Sequence, residues 1–273
     1  VRDKIIFKGS SHTIGYGLDI ELSSRYNDDN WLIQNGIILP RPDGFIDEDW
    51  YHINTNRWPK KVCDRLGKIE HDFNNIDRLN KTSLSDFMLE LSITPKQLLS
   101  DVDVIIYEPQ ITRFFHNDVQ FTPAEMLKKI NDSNVLDSEK QILYDWLDNH
   151  DEYIENSLKL MELCIEKHNE IKFLFFYFFG HSYYLDEKIK KYPTVEERII
   201  EFTINEETST NLYSLITKNK LRVCDTAYCY THRIDDFGNE RWKVGDYVDE
   251  HAGVLAQEMI AKSVIKHITK KGD

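Results

Sequence analysis

The sequence predicts an α/β protein, and three features predict it. Short apolar runs at Ile5-Ile6-Phe7, Val102–Tyr107 and Ile171–Phe179 have the length of buried strands. Segments with helical periodicity alternate with them, the pattern of a sheet covered by helices. The length of 273 residues, 41% of them hydrophobic, suits one such domain with a sizeable insertion.

Lys4–Lys8 reads as the first strand, buried and central. Gly9 permits a tight turn after it. Ser11 then falls where a helix or loop begins, beside backbone N–H groups that no helix satisfies. Such groups suit a developing oxyanion, although a serine-rich turn without chemistry fits these residues as well. Asp19–Tyr26 has helical spacing at Leu18, Leu22 and Tyr26. From 27 to 58 the pattern breaks into turn chemistry, with Trp31, Phe45, Trp50, Tyr51 and Trp58 spread through it. This stretch is expected to be a loop insertion folding over the site, or one whose aromatics anchor it to the body.

Arg57–Gly67 predicts a helix, with Pro59 at the first helical position and Gly67 as the stop. Ile69–Phe73 follows as a strand, and Ser83–Leu91 as a helix capped by Thr82 or Ser83. Val102–Tyr107 is a clear strand. Thr122 and Glu125 form a capping box that opens a helical excursion over about 122–168. Its long helix starts at Asp137 or Ser138, with Leu143, Trp146, Leu147, Ile154, Leu158, Met161 and Ile165 on one face. Ile171–Phe179 is a strand ending at Gly180-His181-Ser182. In doubly wound sheets ligands bind at such ends, so His181 is a candidate substrate contact or a hydrogen-bonded structural histidine. Asp186–Thr203 reads as a charged helix interrupted by Pro193. Leu221-Arg222-Val223 reads as a last short strand, and Ile234–Val244 as a hairpin. Ala252–Ile268 closes the chain as a helix with Leu255, Met259, Val264 and Ile268 inward.

The formal net charge of −13 argues against a nucleic-acid backbone or an anionic membrane as partner. Cys63, Cys164, Cys224 and Cys229 are too scattered for a disulfide framework, so a reducing, cytoplasmic compartment is expected. No apolar run approaches a membrane span, and no signal peptide is visible. Cys224, Cys229 and His232 invite a zinc reading, but the C-x4-C spacing is loose and no fourth ligand is evident. No cofactor motif appears: there is no P-loop, and no G-x-G-x-x-G follows the first strand.

The two ends of the chain carry the chemistry. Ser11 lies near the start, and Asp249-Glu250-His251 lies just ahead of the last helix. A serine, a histidine and a carboxylate are the parts of an activated hydroxyl nucleophile. Gly9-Ser10-Ser11-His12-Thr13 resembles the first block of the SGNH (GDSL-type) hydrolases, whose third residue is the nucleophile and whose second is usually Asp. Asp249-x-His251 followed by Ala252-Gly253-Val254-Leu255-Ala256 resembles their last block, although the family usually has two residues between acid and His and the one-residue spacing resembles divergent members. Arg57-Trp58-Pro59 leading to Leu66-Gly67 also resembles the family's helix before its second strand.

The resemblance implies a single domain over 1–273, a three-layer α/β/α sandwich around a mostly parallel five-stranded sheet of flavodoxin-like type. It implies Ser11 as nucleophile, His251 as base and Asp249 as acid, with Asp246 as the fallback acid. The family's oxyanion-hole Gly falls near Asn80 in a loop without glycine, and its Gly-x-Asn-Asp block is replaced by Glu108-Pro109-Gln110. Asn80 and Gln110 are the candidate donors. Arg113 resembles an arginine of phage-like members, with a surface salt bridge as its alternative. The implied activity is that of an esterase on a small-molecule or glycan ester, such as an O-acetyl group. The alternatives are an SGNH-fold binding protein without turnover, and a metal-assisted hydrolase using His12, Asp225 or His232.

Overall fold

A computed structural model describes residues 2–14, 18, 22, 47–71, 79, 84, 86–109, 114–116, 119–121, 128, 130–131, 136–177, 187–223, 230–234, 240–244 and 251–270. In chain order the elements are β1 (Lys4–Lys8), α1 (Ser11–Ile14), α2 (Asp47–Asn56), α3 (Trp58–Leu66), β2 (Ile69–Glu70), α4 (Phe87–Ile93), β3 (Val102–Tyr107), β4 (Phe114–His116) and β5 (Val119–Phe121). There follow α5 (Asp137–Lys167), β6 (Lys172–Phe175), α6 (Pro193–Glu196), β7 (Phe202–Ile204), β8 (Glu207–Ser209), α7 (Leu212–Lys218), β9 (Tyr230–Ile234), β10 (Glu240–Val244) and α8 (Val254–Thr269).

The α/β class is as expected. Among the described residues the main sheet has four strands in the order β2-β1-β3-β6. β1 and β3 are parallel, with Ile5 opposite Val104 and Lys8 opposite Tyr107. β3 and β6 are also parallel, with Tyr107 opposite Phe175. The contacts divide the chain into two units, Val1–Lys8 with His71–Ile200, and Gly9–Glu70 with Glu201–Asp273.

In the first unit β1 and β3 are buried almost throughout, which is why their sequences are apolar runs without alternation. α4 contributes Phe87, Met88 and Leu91 to a core that α5 completes with Ile154, Leu158, Met161, Cys164 and Ile165. Each such side chain contributes about 1.5–3 kcal/mol on burial. The expected helix over 83–91 is observed later, as α4, with Asp86 rather than Thr82 or Ser83 at its N-cap. Side chains at the end of α5 bond to carbonyls of α4 and its C-cap. Lys167 Nζ reaches Ser92 O (2.5 Å), one of the groups that a helix leaves unbonded, whereas Met88 is the second residue of the helix. Lys167 Nζ donates to Thr94 O (3.0 Å), and Cys164 Sγ donates to Met88 O (3.3 Å). His168, fully buried, places Nε2 3.2 Å from Leu91 O, while its Nδ1 has no partner among the described residues.

In the second unit α3 packs on α8. Pro59 sits in the first turn of α3, and Gly67 ends the helix at φ 61°, its N–H donating to Cys63 O. Arg65 on α3 pairs with Glu258 on α8 at 2.5 Å, which holds the Glu258 carboxyl below its usual range. β7 and β8 form an antiparallel hairpin. Thr203 N–H donates to Ser263 Oγ on α8 (3.0 Å).

Several expectations are corrected. Residues 47–56 of the expected loop insertion form helix α2. Within the expected charged helix over 186–203, Pro193–Glu196 forms α6 and Phe202 begins β7. Asn205 and Glu206 both have positive φ, 49° and 70°, the backbone of a tight hairpin turn. Among the described residues Leu221–Val223, expected as a last short strand, pairs through an isolated antiparallel bridge, Arg222 to Ala252. On α8 Leu255 is 52% exposed, and the buried face is Ala256, Gln257, Ile260, Ala261, Ser263 and Val264. The hairpin expected over 234–244 is present but begins earlier, with Tyr230–Ile234 as β9 paired to Glu240–Val244 as β10. Thr122 and Glu125 lie outside the described residues. Among the described residues no helix is long and apolar enough to cross a membrane.

Gly67→Ala places a side chain on a left-handed backbone with open space around it, so the expected loss is about 1 kcal/mol, purely from the backbone. A urea midpoint equal to wild type contradicts this. Burial holds the His168 pKa below the 6.5 of an unfolded chain. The unfolded chain therefore takes up this proton first, and the His168 contribution is lost as pH falls from about 6.5 through the folded pKa. Between about pH 7.5 and 5.5 the urea midpoint of wild type is expected to fall further than that of His168→Gln. Equal falls contradict the assignment.

Candidate functional site

β1 delivers the chain through Gly9 and Ser10 to Ser11, the first residue of α1. The turn is closed by Ser10 O, which accepts from Thr13 N–H (2.9 Å) and Ile14 N–H (3.2 Å). The Ser11 N–H is thereby among the donors that α1 does not use internally. Thr13, two residues on, is 4% exposed, and its hydroxyl has no hydrogen-bond partner among the described residues. A buried hydroxyl without a partner costs about 1–3 kcal/mol.

His251 is half-buried and sits immediately before α8. Its backbone is fixed by antiparallel pairing with 221–223. Val223 N–H donates to His251 O (2.9 Å), and Gly253 N–H donates to Leu221 O (2.9 Å). Gly253, at φ −70° and ψ 175°, is the N-cap of α8 and supplies no side chain to cap it. Ala252 between them is fully buried, and its carbonyl accepts from Gln257 Nε2 at 3.1 Å.

Ser11 and His251, near opposite ends of the sequence, belong to the same compact unit. Asp249, the fallback Asp246, Asn80, Gln110, Arg113 and His181 lie outside the described residues, as do the side chains of Ser11, His12 and His232. The described neighbours of the oxyanion candidates are in the first unit. Leu79 O, beside Asn80, accepts from Lys8 Nζ at 3.1 Å, and Glu108 and Pro109, before Gln110, are buried. Burial lowers the pKa of Lys8.

Among the described residues the free thiols are poor nucleophiles. Cys63 and Cys164 are buried free thiols, and burial pushes both up to about 12, far from thiolate at neutral pH. Among the described residues no group of three or more His, Cys, Asp or Glu is arranged to hold a metal. Cys224, Cys229 and Asp225 of the zinc and metal readings lie outside those residues.

Sequence reasoning missed Gln257. It is fully buried, and its Oε1 accepts from Trp58 N–H at 2.9 Å. A lone glutamine in an amphipathic helix reads as a solvated position, and only the smallness of Ala256 and Ala261 beside it hints that this face packs closely. Comparison of the chain with protein-family models, curated proteins and solved structures gives no match.

Proposed function

We propose that this chain is a serine hydrolase of the SGNH type, an esterase acting on a small polar or glycan ester. The observation that supports it most is that Ser11, at the head of a helical turn behind a buried strand, shares one compact unit with His251. In this reading His251 takes the proton from Ser11 Oγ as the oxygen attacks the ester carbonyl. Asp249 orients the imidazole and stabilises the imidazolium. The Ser11 N–H, Asn80 and Gln110 hold the oxyanion, each donor being worth roughly 100- to 1000-fold in rate. His251 then returns the proton to the leaving alcohol, and water releases the acyl group by the same route.

Arg113 and His181 are substrate contacts in this account. The reading carries with it the family's architecture, a five-stranded sheet in a three-layer sandwich forming a single domain. A second reading, an SGNH-fold binding protein without turnover, is favoured by the sequence from Asn74 to Ser83, which lacks glycine, and by Glu108-Pro109-Gln110 in place of Gly-x-Asn-Asp.

Hydrolysis of para-nitrophenyl acetate by wild type and Ser11→Ala separates the two. Loss of at least about 1000-fold in kcat/KM is expected for Ser11→Ala. Equal rates in the two proteins end the esterase reading.

A further inference from the structure

Gln257 is polar and fully buried in the middle of the apolar face of α8. An amide is costly there unless both of its ends are bonded. Both are. Oε1 accepts from Trp58 N–H (2.9 Å), and Nε2 donates to Ala252 O (3.1 Å).

The first partner is a donor that α3 cannot satisfy. Arg57 at the N-cap provides no side-chain acceptor, and Pro59 follows with no N–H of its own. The second partner is the carbonyl of the residue directly after His251. Together with Val223 N–H to His251 O, Gly253 N–H to Leu221 O and Gln257 N–H to Gly253 O, it completes a set of four bonds around residues 251–253. The two from 221–223 lock one edge of this short segment, and the two from Gln257 lock the other. A leucine or methionine would fill the space and leave Trp58 N–H and Ala252 O unpaired, so packing alone does not select an amide at 257.

We infer that Gln257 is a positioning residue for His251, tying the peptide after the imidazole to the head of α3 so that the ring is held at one setting. The inference rests on reading His251 as the general base of the esterase. Its action is on the transition state rather than on substrate binding, since a shift of the base by about 1 Å can cost on the order of 100-fold in rate.

The test uses the full chain, with folding checked by circular dichroism, and measures kcat and KM on para-nitrophenyl acetate together with the NMR signal of the His251 ring, assigned with His251→Asn. Gln257→Met is expected to lower kcat at least about 10-fold with KM within about twofold, and to shift or broaden the His251 signal. Gln257→Glu supplies an internal rescue. Protonated, its carboxyl accepts from Trp58 N–H and donates to Ala252 O as the amide does; ionised, it loses the donor. Burial raises the pKa of such a carboxyl, so the kcat of Gln257→Glu relative to wild type is expected to rise as pH falls from about 8 to about 6. Folded Gln257→Met with wild-type kcat and an unmoved His251 signal overturns the inference. If Gln257→Met does not fold, the Gln257→Glu profile decides: a rising ratio supports the inference and a flat ratio overturns it. If Ser11→Ala matches wild type, the esterase reading fails on its own. The His251 signal then still decides positioning, a moved signal supporting it and an unmoved one overturning it.

Discussion

Parallel pairing between the first strand and Val102–Tyr107 is the constraint on which the rest depends. Its rungs run from Ile5 to Lys8, and Glu108 N–H donates to Lys8 O at 2.8 Å just past the end of β3. Ile5 and Ile6 have no exposed surface, so slipping this register would expose apolar side chains or bury polar ones. The pairing fixes where the strand stops, and so where Gly9, Ser10 and Ser11 leave it.

The two units solve one common problem alike. α4 has seven residues and α3 has nine, both shorter than a helix that is stable alone in water. Each depends on its neighbours for its unbonded terminal groups. For α4 these come from Lys167 at the end of α5, bonded to Ser92 O and Thr94 O, and from His168 just beyond it, whose Nε2 lies against Leu91 O, all at its C-terminal side. For α3 it comes from Gln257 on α8, bonded to an N–H at its N-terminus. The buried polar side chains of the long helices thus serve the ends of the short ones. That explains polar residues which the hydrophobic effect alone would not place inside.

Much of the fold was legible in the residues. β1, β3 and β6 are continuous apolar runs because their sheet is buried on both faces. α3 was bounded by Pro59 and Gly67, and α5 by its long heptad-like spacing. The hairpin of β7 and β8 was not legible, because Glu206 occupies a positive-φ position where glycine would have marked the turn. α2 was hidden by turn-like neighbours, although Asp47, Glu48 and Asp49 form an acidic first turn suited to a helix start. On α8 Val264 is buried as expected, but large Leu255 is exposed while small Ala256 and Ala261 pack inward. Of the site, Ser11 and His251 stand out in sequence because their neighbours form compact motifs. Gln257 does not, because its role depends on Trp58, which is nearly 200 residues away in sequence.

The reading joins a serine at the start of the chain to a histidine near its end through one chemical consequence, an unusually nucleophilic hydroxyl at Ser11. Covalent reaction with a fluorophosphonate, read by intact mass and peptide mapping, tests that consequence most directly. The account predicts a single adduct on Ser11 in wild type, none in Ser11→Ala, and much slower labelling in His251→Ala. A wild-type protein that stays unmodified, or that is modified at another residue, would contradict it.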